Sequence, residues 1–274
     1  MDKYAVFGNP IAQSKSPLIH AEFADQTKQV LEYNAIGPDV DRFHDAITTF
    51  IEQGGKGANV TAPFKEQAFS MATKLTERAQ LAKAVNTLVF NKDGSILGDN
   101  TDGAGLIADL LENKAPLNRR VLLIGAGGAA RGVIKPLLAQ QPELLVITNR
   151  THAKAEELAS HFDEYGRIAA LTSAQLESEA PFDVVINSSS SSLFNEIPAV
   201  TPAIFKTGGF AYDMSYKAEN TVFIDWALAS GAETAIDGLG MLVGQAAESF
   251  NVWRGVMPNK TPVENKLREL LKVT

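Results

Sequence analysis

Cysteine is absent from this chain of 274 residues, and the absence excludes disulfide bonds, thiolate nucleophiles and cysteine-based metal centres. Histidine is also sparse. The four histidines stand far apart, without the spacing of a metal site: His20, His44, His152 and His161. The sequence therefore predicts no bound metal.

Long hydrophobic runs are missing too, since no stretch approaches the roughly 20 apolar residues that cross a bilayer. The formal charge of -7 and the lack of any Lys and Arg cluster argue against nucleic acid or an anionic membrane as a partner. The first six residues lack a secretory apolar core, so we expect a cytoplasmic protein. A monomer and a homodimer are both compatible with the sequence.

With 45% apolar residues, the chain can bury a large core in one or two domains. Strand-like runs at residues 4–8, 32–36, 57–61 and 85–90 are separated by helical patterns such as 17–26 and 39–53. This alternation predicts βαβ units. A turn at residues 91–94 predicts a hairpin that returns the chain toward Leu97.

The alternation restarts later in the chain, with predicted strands at 121–124, 144–148, 183–187, 209–213 and near 233–236. We therefore predict an α/β protein with two α/β domains, of which the second is a Rossmann-type doubly wound parallel sheet.

An Asp-Gly-x-Gly pattern occurs at residues 102–105 and again at 237–240. We interpret both as domain crossings, although two surface turns would look the same. The predicted domains are a substrate-binding domain, 1–102 plus 238–274, and an inserted nucleotide-binding domain, 103–237. Helices predicted at 241–254 and 262–272 would return to the first domain. Thr261 is the expected cap of the last helix, with Glu264 closing a capping box.

A glycine turn follows the predicted strand 121–124 and reads Gly125-Ala126-Gly127-Gly128-Ala129-Ala130. Gly125 permits a tight bend, and Gly127 allows a diphosphate to approach bare backbone amides at a helix start. Ala130 occupies the third glycine position of the dinucleotide-binding motif, where alanine is also found. Glycine-rich corners are common, so the turn alone does not identify a cofactor.

The end of the next predicted strand chooses between NAD and NADP. An NAD site carries an acid there, roughly 20 residues after the turn, to bind the ribose 2′-hydroxyl. This chain has Asn149, Arg150 and Thr151 instead, with Lys154 one turn later. These groups suit the 2′-phosphate of NADP. The alternative is that Arg150 and Lys154 are a solvated helix start.

Two further segments place polar groups where a predicted strand has just ended. In the first, Ser14 and Ser16 precede a helix, where their hydroxyls and the free backbone amides could bind a carboxylate. The alternative is that a serine only caps the helix. In the second, Lys65 lies one turn into a helix, where an average lysine is a surface charge. Asp102, at the border of the nucleotide domain, completes a pair suited to carbonyl reduction.

Hydride addition to a carbonyl carbon builds negative charge on oxygen, which the Lys65 ammonium would stabilise and protonate. Asp102 would orient the amine and bind a substrate hydroxyl. Asn86 offers a donor and an acceptor together, as hydroxyl recognition requires, but could equally hold a loop in place.

These residues belong to a set of motifs that resembles the shikimate dehydrogenase family nearly from end to end. The matching segments are residues 6–10 with 14–17, 59–61 with 63–65, 84–87, 98–103, 125–130, 149–151 and 238–242 with 245–247. Several motifs in the family's order are far more specific than one glycine turn.

The resemblance implies NADPH-dependent reduction of 3-dehydroshikimate to shikimate in the chorismate pathway to aromatic amino acids. By resemblance, Ser14, Ser16 and Tyr216 bind the substrate carboxylate; Thr61, Asn86, Asp102 and Gln245 contact its hydroxyls; and Lys65 is the acid and base. The glycine turn would hold the diphosphate, and Asn149, Arg150, Thr151 and Lys154 the 2′-phosphate. Met214 and Gly238 would face the nicotinamide side, and Glu77 would be a further position that faces the cofactor.

Two departures from the family pattern stand out. Five serines, residues 188–192, occupy a loop where relatives have small residues and a glycine. A serine run suggests a flexible connector, yet a loop that leaves this strand normally borders the cofactor. Lys154 occupies a position where Arg is frequent, so bidentate phosphate binding is lost there and NADP preference would weaken.

Two other functions remain open. One is an NAD-preferring quinate/shikimate dehydrogenase. The nearest acids that could bind its ribose, Glu156 and Glu157, fall a turn or more into the following helix, where they favour the helix dipole instead. The other is a non-catalytic NADP-binding regulatory protein on the same fold. Retention of both Lys65 and Asp102 argues against it.

Overall fold

A computed structural model of the protein describes residues 1–273. The chain divides into two compact units. Unit 1 contains Met1–Gly105 and Val243–Asn265, and unit 2 contains Leu106–Leu242 with the chain from Lys266 onward.

Unit 1 is an α/β unit built on one six-stranded sheet. Its elements are β1 (Asp2–Phe7), α1 (Ser16–Thr27), β2 (Leu31–Ile36), α2 (Phe43–Glu52), β3 (Gly55–Val60), α3 (Lys65–Met71), β4 (Lys74–Leu75), α4 (Glu77–Ala82), β5 (Thr87–Phe90) and β6 (Ile96–Asp99). The strand order is β2-β1-β3-β5-β6-β4. Strands β1, β2 and β3 are parallel, whereas β5 runs antiparallel to both β3 and β6.

Aromatic side chains dominate the core of unit 1. Helix α2 places Phe43, Ile47 and Phe50 on one face at helical spacing, and all three are buried. Phe43 stacks on Phe64 with ring centroids 4.7 Å apart, and Phe7 of β1 meets Phe50 edge to face. This packing fixes the chain just before Lys65, because Phe64 is the residue that precedes α3.

Unit 2 begins inside α5 (Asp102–Glu112) and carries the second sheet. Its elements are β7 (Arg120–Ile124), α6 (Gly128–Leu138), β8 (Leu144–Thr148), α7 (His152–Phe162), β9 (Ile168–Ala170), α8 (Ser173–Leu176), β10 (Phe182–Asn187), β11 (Phe205–Asp213), α9 (Val222–Ala229) and β12 (Ala232–Asp237). Helices α10 (Leu239–Arg254) and α11 (Lys260–Val273) follow, each shared between the two units.

The second sheet is parallel throughout, with strand order β12-β11-β10-β7-β8-β9. This is the doubly wound order, in which the topology reverses between β7 and β10. The central strands read as continuous apolar runs because both faces are buried, as at Leu122, Val146 and Val185. The predicted α/β class and Rossmann-type second sheet are confirmed.

The predicted hairpin is also confirmed, since β5 and β6 pair antiparallel on either side of residues 91–94. The expected cap of the last helix is wrong. Helix α11 begins at Lys260, and the side chain of Asn259 accepts a hydrogen bond from the backbone N–H of Thr261. Thr261 therefore lies inside the first turn, because a competent cap stands two residues earlier.

The boundaries of the compact units differ by a few residues from the predicted domain bounds. The crossings fall after Gly105 and after Leu242, and the last helix divides at Lys266. In the part of α11 that belongs to unit 2, the guanidinium of Arg268 donates to both carboxylate oxygens of Asp237. The two predicted domains stay a prediction.

Candidate active site

Lys65 and Asp102 form the centre of a polar cluster in unit 1. Lys65 is the first residue of α3, and its Nζ lies 2.6 Å from Oδ2 of Asp102, the first residue of α5. The carboxylate side chain is 11% exposed and the lysine side chain 31% exposed. The two predicted partners, 37 residues apart in sequence, are therefore joined by a direct ion pair that stays accessible at its lysine end.

Asn86 holds the other oxygen of this carboxylate. Its Nδ2 donates to Oδ1 of Asp102 at 2.8 Å and to Oε1 of Gln245 at 3.2 Å. Its Oδ1 accepts from the backbone N–H of Thr101 and from the hydroxyl of Thr87. This oxygen is therefore already hydrogen-bonded inside the protein, and the role of Asn86 toward a substrate hydroxyl stays a prediction. Asn86 does tie down the loop before α5, as the alternative interpretation held.

A buried layer beneath Asn86 was missed by the sequence interpretation. Asn59, on β3, donates to the backbone oxygen of Asn86 at 3.2 Å and to the hydroxyl of Ser249 at 3.0 Å. Ser249 and Thr87 lie 2.7 Å apart, oxygen to oxygen, and Ser249 has no exposed surface. A polar Asn inside a buried strand is the sequence feature that could have revealed this layer.

Ser14 and Ser16 lie at the start of α1. The helix cap is Lys15, whose side chain makes no capping bond, and Ser16 is already the first helical residue. Ser14 Oγ accepts the backbone N–H of Ser16 at 3.3 Å. The alternative interpretation, that a serine is the cap of this helix, is therefore wrong.

Two other predicted site residues lie at the ends of elements of unit 1. Thr61, just after β3, is half-buried, and Glu77 is an exposed residue at the start of α4.

The predicted glycine turn lies in unit 2, between the end of β7 and the start of α6. Gly125 has a φ of +114°, which only glycine adopts without strain, and an added Cβ would lie 2.7 Å from Ser188 Oγ. Gly127 precedes the first helical residue, Gly128, and both have open space where a Cβ would stand. The free N–H groups of this helix start therefore face room for an anion.

A groove of about 660 Å³ opens at this point. It is lined by residues that the sequence predicted, namely Gly125, Ala126, Gly127, Gly128, Ala129, Asn149, Arg150, Thr151 and Lys154. Ala130 is buried instead of lining the groove. The groove also contains residues that were not predicted, including Ser173, Phe194, Glu196 and residues 197–200.

The charges along the groove fit NADP. Arg150 and Lys154 are exposed and line it, and no acid stands at the end of β8. Glu157 instead pairs with Arg131 at 3.1 Å, and Glu156 lies 3.5 Å from His152. The one acid among the groove residues is Glu196. The arrangement thus offers cations where a 2′-phosphate needs them, and bare amides for a diphosphate.

Within residues 1–273, no group of three or more His, Asp and Glu side chains is placed to hold a metal ion. In the same range, no helix is long and apolar enough to cross a membrane.

Three protein-family models match consecutive parts of the chain. Residues 6–88 match the shikimate dehydrogenase substrate binding domain, residues 109–207 the shikimate / quinate 5-dehydrogenase model, and residues 238–268 the shikimate 5′-dehydrogenase C-terminal domain. The chain belongs to the shikimate dehydrogenase family.

Relatives and solved structures agree with this assignment. Shikimate dehydrogenase (NADP(+)) of Vibrio atlanticus is 53% identical over 274 residues, which is 100% of this chain and 99% of the relative. An Ael1 enzyme from Pseudomonas putida is 46% identical, with a TM-score of 0.92 and coverage of 97% and 98%. A Thermus thermophilus shikimate 5-dehydrogenase, solved with NADP(H) and shikimate, is 29% identical, with a TM-score of 0.88 and coverage of 99% and 100%.

The remaining residues expected from the shikimate dehydrogenase pattern lie at the ends of β11 and β12. Met214 and Tyr216 are half-buried, and burial raises the pKa of the Tyr216 hydroxyl, with the nearby Asp237 acting in the same direction. Gly238 is buried so closely against the Met214 backbone that an added Cβ would collide with it. None of the three lines the groove, and their roles stay predictions.

The serine run, where this chain departs from the family pattern, is hydrogen-bonded to the end of β7. Both the backbone N–H and the hydroxyl of Ser188 donate to the backbone oxygen of Ile124, each at 2.8 Å. Ser192 is fully buried, and residues 188–191 line the groove. Hydrogen bonds and a buried side chain therefore hold this loop, and the expectation that it borders the cofactor groove agrees with the structure.

Proposed function

We propose that this chain catalyses the reversible, NADPH-dependent reduction of 3-dehydroshikimate to shikimate in the chorismate pathway, with Lys65 as acid and base. The observation that carries the proposal is the 2.6 Å ion pair between Lys65 Nζ and Asp102 Oδ2. Membership of the shikimate dehydrogenase family supports the reaction class.

Bound NADPH would supply the hydride. As a hydride adds to the carbonyl carbon, the π electron pair of the C=O bond would move onto oxygen, where the Lys65 ammonium would stabilise the charge and deliver the proton. In the reverse direction the neutral amine takes the proton from the substrate hydroxyl. Asp102 limits the positions of Nζ, and Asn86 fixes Asp102 through its second oxygen. The pair is therefore oriented before substrate arrives.

Substrate recognition is proposed for the polar residues that the family pattern indicates. Ser14 and Ser16, at a helix start, suit the carboxylate, with Tyr216 as a further donor. Thr61 and Gln245 are half-buried, and Gln245 already contacts Asn86. We assign Thr61, Asn86, Asp102 and Gln245 to the substrate hydroxyls.

Cofactor binding is proposed for the groove of unit 2. The amides of residues 125–130 would hold the diphosphate, and Asn149, Arg150, Thr151 and Lys154 the 2′-phosphate end. The Asn149 side chain donates to the backbone oxygen of Thr151 at 2.9 Å, which shapes this corner. Met214 and Gly238 are proposed for the nicotinamide side, and Glu77 for a further contact with the cofactor.

One assay tests the reaction and both alternatives. Oxidation of NADPH and NADH is measured with 3-dehydroshikimate and with 3-dehydroquinate. We expect the highest kcat/KM for NADPH with 3-dehydroshikimate. A preference for NADH, or for 3-dehydroquinate, would instead identify a quinate/shikimate dehydrogenase. Dinucleotide binding without oxidation of either cofactor would favour the regulatory protein. The expected cytoplasmic location and the monomeric or dimeric state stay predictions.

A further inference from the structure

The serine loop, residues 187–192, forms part of the groove wall, yet its composition gives no reason for a fixed shape. Its first residue, Asn187, is the last residue of β10 and is fully buried. Asn187 Oδ1 accepts from the backbone N–H and the hydroxyl of Ser189, at 3.1 and 2.6 Å. The start of the loop is thus bound to its own strand end.

Asp213 lies beneath this loop, at the end of the neighbouring strand β11, with no exposed surface. Its Oδ2 accepts from the hydroxyls of Ser192 at 2.5 Å and Thr221 at 2.6 Å. Its Oδ1 accepts from Asn187 Nδ2 at 3.2 Å and from the backbone N–H of Ser215 at 3.0 Å. Two of the four donors are the first and last residues of the serine loop.

The surroundings of this carboxylate are unusual, because four neutral donors surround it and it forms no ion pair within residues 1–273. Burial raises the pKa of Asp213, and the hydrogen bonds from Ser192 and Thr221 oppose that shift. A buried carboxylate needs such donors, so each donor is held to it strongly.

We infer that Asp213 is a positioning residue for dinucleotide binding, which holds the serine loop in the shape that forms one wall of the groove. The inference rests on the proposed NADP-dependent function. Asp213 does not itself line the groove, but residues 188–191 do. The Ser188 hydroxyl also donates to the backbone oxygen of Ile124, just before the glycine turn. The serine loop is therefore in direct contact with the strand end that leads into the proposed diphosphate site.

The two donors to Oδ2 provide a matched pair of variants. Ser192 belongs to the serine loop, whereas Thr221 caps α9 by accepting the backbone N–H of Ile224. Both side chains are fully buried, and neither lines the groove. Ser192→Ala and Thr221→Val each remove one hydrogen bond to Oδ2 of Asp213. Only the first change releases the end of the serine loop from this carboxylate.

The test measures NADP+ binding by isothermal titration calorimetry, together with thermal unfolding and steady-state kinetics. We expect both variants to lower Tm. Only Ser192→Ala should raise the Kd for NADP+ and the KM for NADPH, by about fivefold or more, with kcat and the KM for 3-dehydroshikimate nearly unchanged. A purely structural role would lower Tm without this selective loss of affinity.

Unchanged NADP+ affinity in a folded Ser192→Ala variant would overturn the inference, and so would an equal loss in Thr221→Val. Should Ser192→Ala not fold, Ser192→Cys carries the same comparison, because it fills the buried site with a side chain of the same connectivity whose thiol is a much weaker donor. Failure of the proposed function has a different signature. Wild-type protein would then bind NADP+ without oxidising NADPH in the presence of 3-dehydroshikimate.

Discussion

The side-chain amide of Asn86 donates a 2.8 Å hydrogen bond to Oδ1 of Asp102, whose other oxygen contacts Lys65. Asn86→Asp would place a second carboxylate at hydrogen-bond distance from the first, so that one proton is shared between the two acids at low pH. We expect kcat to fall about tenfold or more near pH 8, with a smaller loss below pH 6.

The pH dependence of kcat for the Asn86→Asp variant checks this expectation. Asn91→Asp is a suitable control, because Asn91 is exposed in the hairpin and contacts Ser95. A pH profile of Asn86→Asp that parallels the wild-type profile would show that the second carboxylate does not couple to the Lys65–Asp102 pair.

Lys65→Ala tests the proposed acid and base. Because the ammonium acts mainly on the transition state, we expect kcat to fall by roughly 10² to 10⁴, with a much smaller change in the KM for 3-dehydroshikimate. Steady-state kinetics of the purified variant provide the measurement. Lys74→Ala, which removes an exposed lysine of the same unit, should behave as wild type. Near-normal turnover in Lys65→Ala would refute the role.

Arg150→Ala tests the proposed 2′-phosphate site. NADH lacks that phosphate, so the variant should raise the KM for NADPH much more than the KM for NADH. Both values are measured at saturating 3-dehydroshikimate. Arg119→Ala is the matched control, since Arg119 is an exposed arginine of unit 2 that pairs with Glu143 away from the groove. Equal effects on the two cofactors would remove Arg150 from the site.

His20 gives unit 1 a predictable sensitivity to acid. The ring is fully buried and stacks on Tyr33 with centroids 4.2 Å apart. Burial lowers the pKa of His20 from 6.5 to about 3, and the Asn59 side chain only partly opposes the shift. Between these values the unfolded chain binds a proton that the native state does not. The free energy of unfolding therefore decreases as pH falls through this window, by up to about 1.4 kcal/mol per pH unit.

His20→Phe should remove this contribution and flatten the pH dependence of urea unfolding between pH 6 and 4. The difference between variant and wild type isolates His20 from the carboxylates that also titrate there. His44→Phe, a change at an exposed histidine, should leave the dependence unaltered. An unchanged slope in His20→Phe would mean that His20 is not neutral in the folded protein.

Much of the fold follows from local patterns in the sequence. The central strands of the second sheet are apolar runs bounded by glycine or polar turns, and these were predicted close to their ends. Two strands escaped prediction. Strand β4 (Lys74–Leu75) and strand β9 (Ile168–Ala170) have two and three residues, too few for an alternating pattern to appear. Their existence depends on the neighbouring strands β6 and β8.

The candidate site divides in the same way. Lys65, Asp102 and the glycine turn were found because each residue type has a chemical reason to stand where it does. The hydrogen bonds that hold the serine loop were not predicted, because Asp213 lies 21 residues beyond Ser192 and its carboxylate contacts the loop only once β10 and β11 are paired. Likewise, the side-chain oxygen of Asn86 accepts a hydrogen bond from the backbone N–H of Thr101, which is distant in sequence.

In the serine loop, the residues that fix the backbone are different from the residue that is exposed in the groove. Its buried residues, Asn187 and Ser192, anchor to Asp213, while the exposed Ser190 lines the groove and takes part in none of the anchoring bonds to Asp213. A side chain at position 190 can therefore change while the backbone beneath it stays fixed. Substitutions at this position, natural or engineered, can therefore alter the contacts made with a bound dinucleotide without changing the fold.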